Sequence, residues 1–374
     1  MVYIAAVTVL SLLASVALTL AGWGVPAAVF HLAFAVGIVP LIFGAMIHFV
    51  PVLTRSGNPS RGVALLPGFA QIAGLLAVGT MQGFLPRPLL HGAATLDFIF
   101  AAVLAAWMAK RARSALGSPH PGWRWYLAAL GCFLLALAAV PVLTAVPEFY
   151  GSLRTFHLHL NTLGLVGLAA FGTLPVLLPT ALGKPDPESG SWLRRRLWPT
   201  TFAVLLIAVG SAFVWPLAVV GATLLLVVAL GLAGQWWRRF GPASLWNDGA
   251  AASLCLAVTG FLALVTAGVL HGIGLVPARP AIAAWAAGFL MPLVTGALSQ
   301  LLPVWRWPGP ATPARALMRA KLAATGRWRG LLFIGAGILI AAGLPEGGEA
   351  LAAAGMALFA VGLVRAVGVP ASAR

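Results

Sequence analysis

Apolar stretches of about 20 residues follow one another along the whole chain, and short segments rich in charged residues and proline separate them. A stretch of that length spans the ~30 Å hydrocarbon layer of a membrane as a helix. The pattern therefore predicts an all-α, polytopic membrane helix bundle in a lipid bilayer, with about twelve spans. The predicted spans are residues 3–22, 30–53, 63–84, 88–109, 125–146, 153–180, 198–213, 215–237, 248–270, 281–304, 329–344 and 348–366.

Composition agrees with this pattern. Hydrophobic residues make up 61% of the 374 residues and charged residues only 8%, which is far too apolar for a water-soluble domain. The first apolar stretch has no basic residues before it, so we interpret it as a membrane span and not as a signal peptide.

The basic residues favour one face of the predicted membrane protein. When alternate loops are assigned to opposite faces, 20 of the 23 Lys and Arg residues, including Arg329 and Arg374, share the face that holds both termini. Only Arg87, Arg154 and Arg279 fall on the other face. The positive-inside rule predicts a multi-pass protein of the bacterial inner membrane with cytoplasmic termini. The net charge of +16 is then a feature of topology and does not indicate a nucleic-acid partner.

A short motif occurs three times, each time as a glycine followed seven residues later by a proline. The three pairs are Gly44 and Pro51, Gly172 and Pro179, and Gly296 and Pro303. The spacing predicts a single transmembrane domain made of three repeated four-helix units, residues 1–115, 116–240 and 241–374, with the motif on the second helix of each unit. The alternative is that Gly and Pro are simply frequent in membrane helices.

Histidines supply the most evident candidate chemistry. The predicted topology places five of the seven at or near the outer ends of helices: His31, His91, His157, His159 and His271. His31 and His159 each lie thirteen residues before a motif glycine. The repeat therefore predicts that both lie at the same depth in the membrane, on related helices. The third unit has Ala283 at the equivalent position. Imidazole is a common haem ligand. We expect haem binding by His31 and His159, the alternative being hydrogen bonding at the membrane interface.

The remaining histidines have separate predicted roles. His91, His157 and His271 form the available set for a copper ion, which favours several imidazole ligands. His157 and His159 are two residues apart, about 200° around a regular helix, so they face different sites. His48 lies about 25 Å along the helix from His31 and cannot share its site.

Two further residues complete the prediction. His120 lies in a loop rich in Pro and Arg, where we expect it to be solvated. Asp97 is the only acid well inside an apolar span, which makes it a candidate proton or ion site, the alternative being a hydrogen bond to a neighbouring helix.

These features resemble a known family, heme-copper oxidase subunit I. The stretch that contains His31, Pro40, Gly44 and Pro51 is similar to the second helix of that family, which begins with a haem-ligating histidine. The segment His157-Leu158-His159-Leu160-Asn161 resembles the His-rich helices of small oxidase-like proteins. The resemblance implies haem b as the cofactor and copper as a second candidate.

The chain also departs from that family. The family's oxidases bind copper through a His-His pair on the seventh helix and place haem histidines on the tenth. Here the seventh span, which begins near Thr200, has no histidine and the tenth offers only Gln300. The resemblance therefore implies no proton-pumping oxidase. It implies a haem-binding relative, similar to the NnrS family of haem- and copper-containing membrane proteins linked to nitric oxide stress.

The sequence leaves three functions open. The leading hypothesis is electron transfer, nitric oxide handling or metallocentre maintenance, with a membrane or periplasmic redox partner. The second is a haem-free transporter that moves copper or another small solute past His91, His157, His271 and Asp97. The third is a non-catalytic assembly or scaffold subunit. Whether the protein is an enzyme stays open.

Overall fold

The chain folds as an all-α bundle. The computed structural model describes residues 1–275 and 281–370, and these residues form helices and no strands. Within these ranges, eleven helices are long and apolar enough to cross a membrane, which confirms the polytopic membrane fold. Arg279 and Arg374, which the sequence assigned to opposite faces, lie outside the described residues.

Short connections join the helices. In chain order the helices are α1 Val2–Leu20, α2 Pro26–Thr54, α3 Arg61–Met81, α4 Leu89–Arg113, α5 Gly122–Ala145, α6 Pro147–Ala181, α7 Ser189–Phe213, α8 Trp215–Phe240, α9 Pro242–Asn247, α10 Gly249–Gly272, α11 Ala281–Arg306, α12 Pro313–Ala323, α13 Gly326–Ala341 and α14 Pro345–Val367.

Two differences between the predicted spans and the helices have a physical reason. The predicted span 329–344 corresponds to α13, which has 16 residues and is shorter than the other spans. Helix α7 begins at Ser189, whereas the predicted span began at residue 198. Hydropathy marks only the part of a helix that lies in hydrocarbon, and the first turns of α7 carry three arginines that extend beyond it.

Helices α2, α6 and α11 each contain a π-helical segment, in which the backbone hydrogen bonds reach one residue further than in an α-helix. The segments are Leu32–Ile38, Leu160–Leu168 and Ala286–Leu290. All three lie between 4 and 12 residues before the glycine of the repeated motif. In α1, the Thr8 hydroxyl donates to the Gly37 carbonyl of the first segment at 2.9 Å. Such segments are rare and occur frequently at functional sites.

The same three helices are the most enclosed ones. In α2, α6 and α11, 67%, 83% and 67% of the most apolar 18-residue window is buried within the protein, whereas the value is at most 44% for the other candidate spans. The π-helical segments and the histidines before them therefore belong to helices surrounded by protein. The other spans expose more of their apolar surface, as helices in contact with lipid do.

Glycines allow neighbouring helices to approach the π-helical segments closely. A Cβ atom added at Gly74 of α3 would lie 2.5 Å from the Ala35 carbonyl oxygen in α2. In α10, a Cβ atom added at Gly260 would collide with the Gly288 carbonyl group of α11. Small residues at such crossings are typical of membrane helix packing, which depends on van der Waals contact and not on the hydrophobic effect.

The described chain divides into two compact units. One contains Tyr3–Thr173 and Pro187–Leu225, and the other contains Leu174–Asp186 and the described residues from Leu226 onward. These boundaries differ from those of the three predicted repeats, so the repeat boundaries at residues 115 and 240 stay a prediction.

Arg329, which the charge analysis assigned to the face that holds both termini, has a structural role. The side chain is fully buried within the second unit. Its Nη1 donates to the Leu322 carbonyl oxygen at 2.7 Å, and its Nη2 donates to Ser299 Oγ at 2.7 Å and to the Thr295 carbonyl oxygen at 3.1 Å. Leu322 lies in the last turn of α12, where helix carbonyl groups lack intrahelical partners. The sequence gives only the position of Arg329 and does not reveal this acceptor.

Ion pairs hold other cations of the second unit. Arg319 of α12 forms a salt bridge with Asp248 at 2.7 Å, and the other Asp248 oxygen accepts from the Ala251 N–H as the N-cap of α10. Arg239 pairs with Asp186 at 2.7 Å. Asp186 and Asp248 therefore have structural roles in which their negative charges are compensated.

Candidate functional site

His31 lies at the end of the first α-helical part of α2 and is followed directly by the π-helical segment Leu32–Ile38. Its ring is partly buried. The Nδ1–H group donates to the carbonyl oxygen of Ala27, one helical turn earlier, at 2.7 Å. This hydrogen bond fixes the orientation of the imidazole ring against its own helix.

His159 has the same local geometry in α6. It is followed directly by the π-helical segment Leu160–Leu168, and its Nδ1–H group donates to the Thr155 carbonyl oxygen, four residues earlier, at 2.9 Å. Trp285 holds the corresponding position before the third segment, two residues beyond the Ala283 that the motif spacing indicates. Two of the three equivalent positions therefore carry a histidine.

His157 is oriented differently, as the helical spacing predicts. Its Nδ1–H group donates to the carbonyl oxygen of Ala136 on α5 at 2.9 Å. His157 also lies close enough to His31 for their charged forms to repel each other. The unit thus brings His157 near His31, a proximity that the sequence did not predict.

The three hydrogen bonds define which ring nitrogen carries the proton. A carbonyl oxygen can only accept, so each Nδ1 is the donor and the Nε2 of a neutral ring keeps its lone pair. Among the described residues, these three Nε2 atoms have no hydrogen-bond partner. A histidine that binds a metal usually donates its other ring N–H to a carbonyl group or a carboxylate. The donor set therefore fits imidazole ligation of haem iron.

No family model matches the chain, and no curated protein matches its sequence.

Unlike His31 and His159, the three predicted copper ligands do not share one local geometry. His91 is exposed, and its Nε2 atom lies 3.4 Å from the Thr144 hydroxyl oxygen. His271 is exposed in the last turn of α10. Within residues 1–275 and 281–370, no group of three or more His, Cys, Asp or Glu side chains could hold a metal ion. The copper site of His91, His157 and His271 stays a prediction, without a ligand cluster to support it.

His48 lies in the second half of α2, seventeen residues beyond His31. Its ring packs edge-on against the ring of Phe49, with 5.2 Å between the centroids. The sulfur atom of Met1 lies near the same turn, since a Cβ atom added at Gly44 would be 2.7 Å from it. His48 therefore lies near the beginning of α1, far along the helix from His31.

His120 corrects the expectation of a solvated loop residue. It is half-buried, its main-chain N–H donates to the Leu53 carbonyl oxygen at 2.8 Å, and its Nδ1 accepts from the Gly122 N–H at 3.3 Å. Burial, and secondarily the positive charge of Arg194, lowers the pKa of His120. The ring is therefore a neutral acceptor that joins the loop to the start of α5. Loop composition alone carries no signal of this contact.

Asp97 is buried in α4, with 6% of its surface exposed, and its Oδ1 atom has no hydrogen-bond partner in the described residues. The sequence identified this acid. It missed Gln71 on α3, which is 5% exposed and whose Nε2 atom also has no partner there. A signal was present, because an amide inside an apolar stretch is costly unless it is hydrogen-bonded.

Proposed function

We propose that this chain is an integral membrane protein that binds haem b, with His31 and His159 as the axial ligands. One observation carries the proposal. Both imidazole rings stand directly before a π-helical segment and donate Nδ1–H to the carbonyl group four residues earlier, at 2.7 and 2.9 Å. Two side chains on different helices thus have the same orientation relative to their backbone and an Nε2 lone pair for a metal.

The residues of this site have separate tasks. The hydrogen bonds to Ala27 and Thr155 hold the two rings and increase the basicity of Nε2. His157, which Ala136 holds from α5, is the polar group near His31 and is a candidate alternative ligand. Haem, when bound, supplies reversible one-electron chemistry.

The proposed roles of this haem are electron transfer, nitric oxide handling or metallocentre maintenance, and not proton-pumping oxygen reduction. The support is the sequence, in which the seventh predicted span has no histidine and the tenth offers only Gln300. We keep copper as a candidate second metal beside the haem iron. We propose a membrane or periplasmic redox partner, since the histidines lie near the predicted outer ends of their helices.

We also propose that the protein belongs to the inner membrane of a bacterium, with both termini in the cytoplasm. The support is the distribution of Lys and Arg, of which 20 of 23 share one face in the predicted topology. Arg329 is buried but stays in this set, because it lies in the first turn of α13 at the same end of the helix as Arg327.

An absorption spectrum of the detergent-purified protein tests haem binding. We expect a Soret band and sharp bands in the reduced state, with the pyridine haemochrome spectrum of haem b. His31→Ala and His159→Ala should each lose most of the Soret absorbance, because each removes one axial ligand.

His91→Ala is the matched control, because it removes another histidine near an outer helix end that is exposed and makes only a 3.4 Å contact with Thr144. Its spectrum should equal that of the wild type. His157→Ala distinguishes the two histidines of α6. If it abolishes the Soret band while His159→Ala leaves it intact, the assignment of His159 is wrong. A colourless wild-type protein, purified after growth with haem precursors, would contradict haem binding altogether.

A further inference from the structure

Two buried polar side chains of the first unit have no hydrogen bond in the described residues. They are Asp97 of α4, 6% exposed, and Gln71 of α3, 5% exposed. A polar group without a hydrogen bond in an apolar environment costs about 2–7 kcal/mol, and an isolated charge costs far more. Their unsatisfied atoms are complementary, because Gln71 Nε2 donates and Asp97 Oδ1 accepts.

The helical hairpin places the two side chains at one depth. Helices α3 and α4 pack against each other and are joined by a short connection. Gln71 lies ten residues before the end of α3 at Met81, and Asp97 lies eight residues after the start of α4 at Leu89. At 1.5 Å per residue, the two positions differ in depth by about 3 Å. Both side chains belong to the buried faces of their helices.

No charge at this depth compensates an ionised Asp97. Helix α4 packs against α3, α5 and the second half of α2. The charged or titratable residues of those elements are Arg61 on α3, Arg124, Tyr126 and Cys132 on α5, and His48 on α2, and those of α4 itself are His91, Lys110, Arg111 and Arg113. Cys132 is the nearest in depth on a neighbouring helix, about 8 Å further from the outer end than Asp97. His91 is about 9 Å nearer that end on α4 itself.

We propose that Asp97 and Gln71 form a membrane-embedded proton-binding site, in which the Asp97 carboxyl group takes up and releases a proton and the Gln71 amide holds its Oδ1 through one bridging water. The protonated carboxyl group is neutral and supplies an O–H donor, which removes the charge from the apolar interior. A water molecule in a buried polar site makes about three hydrogen bonds, and two of these are available here. The site requires no haem and stands independently of the haem proposal.

Infrared spectroscopy of the purified full-length protein in lipid nanodiscs tests this site. At neutral pH we expect the carbonyl stretch of a protonated carboxylic acid, shifted in D2O and lost as the pH is raised. Asp97→Asn should remove the band, and Asp97→Glu should retain a shifted band if the Asn variant fails to fold. The same variant separates this band from any signal of Asp186 and Asp248, which form salt bridges with arginines.

Gln71→Leu tests the amide. We expect the band to move to the position of a more weakly hydrogen-bonded carbonyl group. Thr80→Val is the matched control, because Thr80 is also buried on α3 but bonds the Leu76 carbonyl oxygen of its own helix at 2.8 Å. This variant should leave the band in place.

Three results would overturn the proposal. The first is a neutral-pH spectrum in which Asp97→Asn removes no protonated-carboxyl band. The second is a carbonyl stretch that shifts by the same amount in Gln71→Leu and in Thr80→Val. The third is a band that appears only when Na⁺ and K⁺ are withheld, which would assign the site to a cation.

Discussion

At the scale of single residues, the hydrogen bond of one imidazole nitrogen determines what the other nitrogen can do. His31, His157 and His159 donate from Nδ1 to a carbonyl oxygen, which leaves Nε2 for a ligand. His120 does the opposite, since its Nδ1 accepts from the Gly122 N–H. The same residue type therefore serves as a candidate ligand within the spans and as a structural acceptor in a loop.

His120 should make the stability of the protein depend on pH. Its folded-state pKa lies below the ordinary value of 6.5 because of burial and the charge of Arg194. As the pH falls, His120 therefore binds a proton in the unfolded chain before it does so in the folded protein. The contribution of His120 to stability is present above pH 6.5 and is lost as the pH falls below it.

The variant His120→Asn isolates this effect, because an amide oxygen can accept from Gly122 without titrating. The difference in Tm between about pH 7.5 and about pH 5.5 should be smaller for this variant than for the wild type. Equal differences in the two proteins would show that His120 contributes nothing to the pH dependence.

Arg329 should stabilise the second unit through its hydrogen bonds. Replacement by Leu removes the donors to Leu322 and Ser299 and leaves both acceptors buried. Each hydrogen bond from a charged group contributes about 1.5–3 kcal/mol, so the free energy of unfolding should fall by at least about 3 kcal/mol. Denaturant unfolding in detergent measures this change. The neighbouring Arg327→Leu is the control, and a loss as large for Arg327 as for Arg329 would refute the role of the buried side chain.

At the scale of helices, the histidine positions and the π-helical segments belong together. Each segment lies in a strongly enclosed helix, and glycines bring a neighbouring helix against two of them, at Gly74 and Gly260. Displacement of such a neighbour moves the backbone that carries the histidine. Helix packing therefore supports the candidate ligand geometry.

Gly74→Ala tests this coupling between packing and site. The added Cβ would lie 2.5 Å from the Ala35 carbonyl oxygen, so the backbones of α2 and α3 must separate. We expect a destabilisation of about 1–3 kcal/mol, as for other overpacked positions, measured by denaturant unfolding. The Soret band should weaken or shift, since Ala35 lies in the π-helical segment after His31.

Gly68→Ala on the same helix is the matched control. Nothing lies within 4 Å of an added Cβ there, so alanine should stabilise the helix by about 0.5–1 kcal/mol. Equal destabilisation by both substitutions would contradict the role of the close contact.

The sequence predicted the elements well and their side-chain contacts poorly. Hydropathy located all eleven helices that are long and apolar enough to cross a membrane, because each must match the same apolar layer. Its remaining predicted span coincides with the shorter helix α13. The spacing of His31 and His159 from the motif glycines indicated equivalent positions, and the structure gives the two rings equivalent hydrogen bonds. It did not predict the π-helical segments, because a π-helix requires no particular residue pattern. It also missed the burial of Arg329, which depends on carbonyl groups of other helices.

At the scale of the whole molecule, charge distribution is the basis of the proposed orientation. Fusion of green fluorescent protein to the C-terminus should give a fluorescent, cytoplasmic reporter in bacterial cells. Alkaline phosphatase fused after residue 84, in the connection between α3 and α4, should be active because this connection faces the periplasm in the predicted topology. An inactive fusion at residue 84, together with a non-fluorescent C-terminal fusion, would indicate the opposite orientation of the protein in the membrane.

The haem proposal is tested most directly by chemical rescue of the oxidised His31→Gly variant, followed by electron paramagnetic resonance with and without added imidazole. The proposal predicts a low-spin, bis-imidazole signal in the wild type, a high-spin signal or loss of haem in His31→Gly, and return of the low-spin signal when imidazole replaces the missing ring. A low-spin signal that survives in His31→Gly without imidazole, or a wild-type protein without haem, would contradict axial ligation by His31.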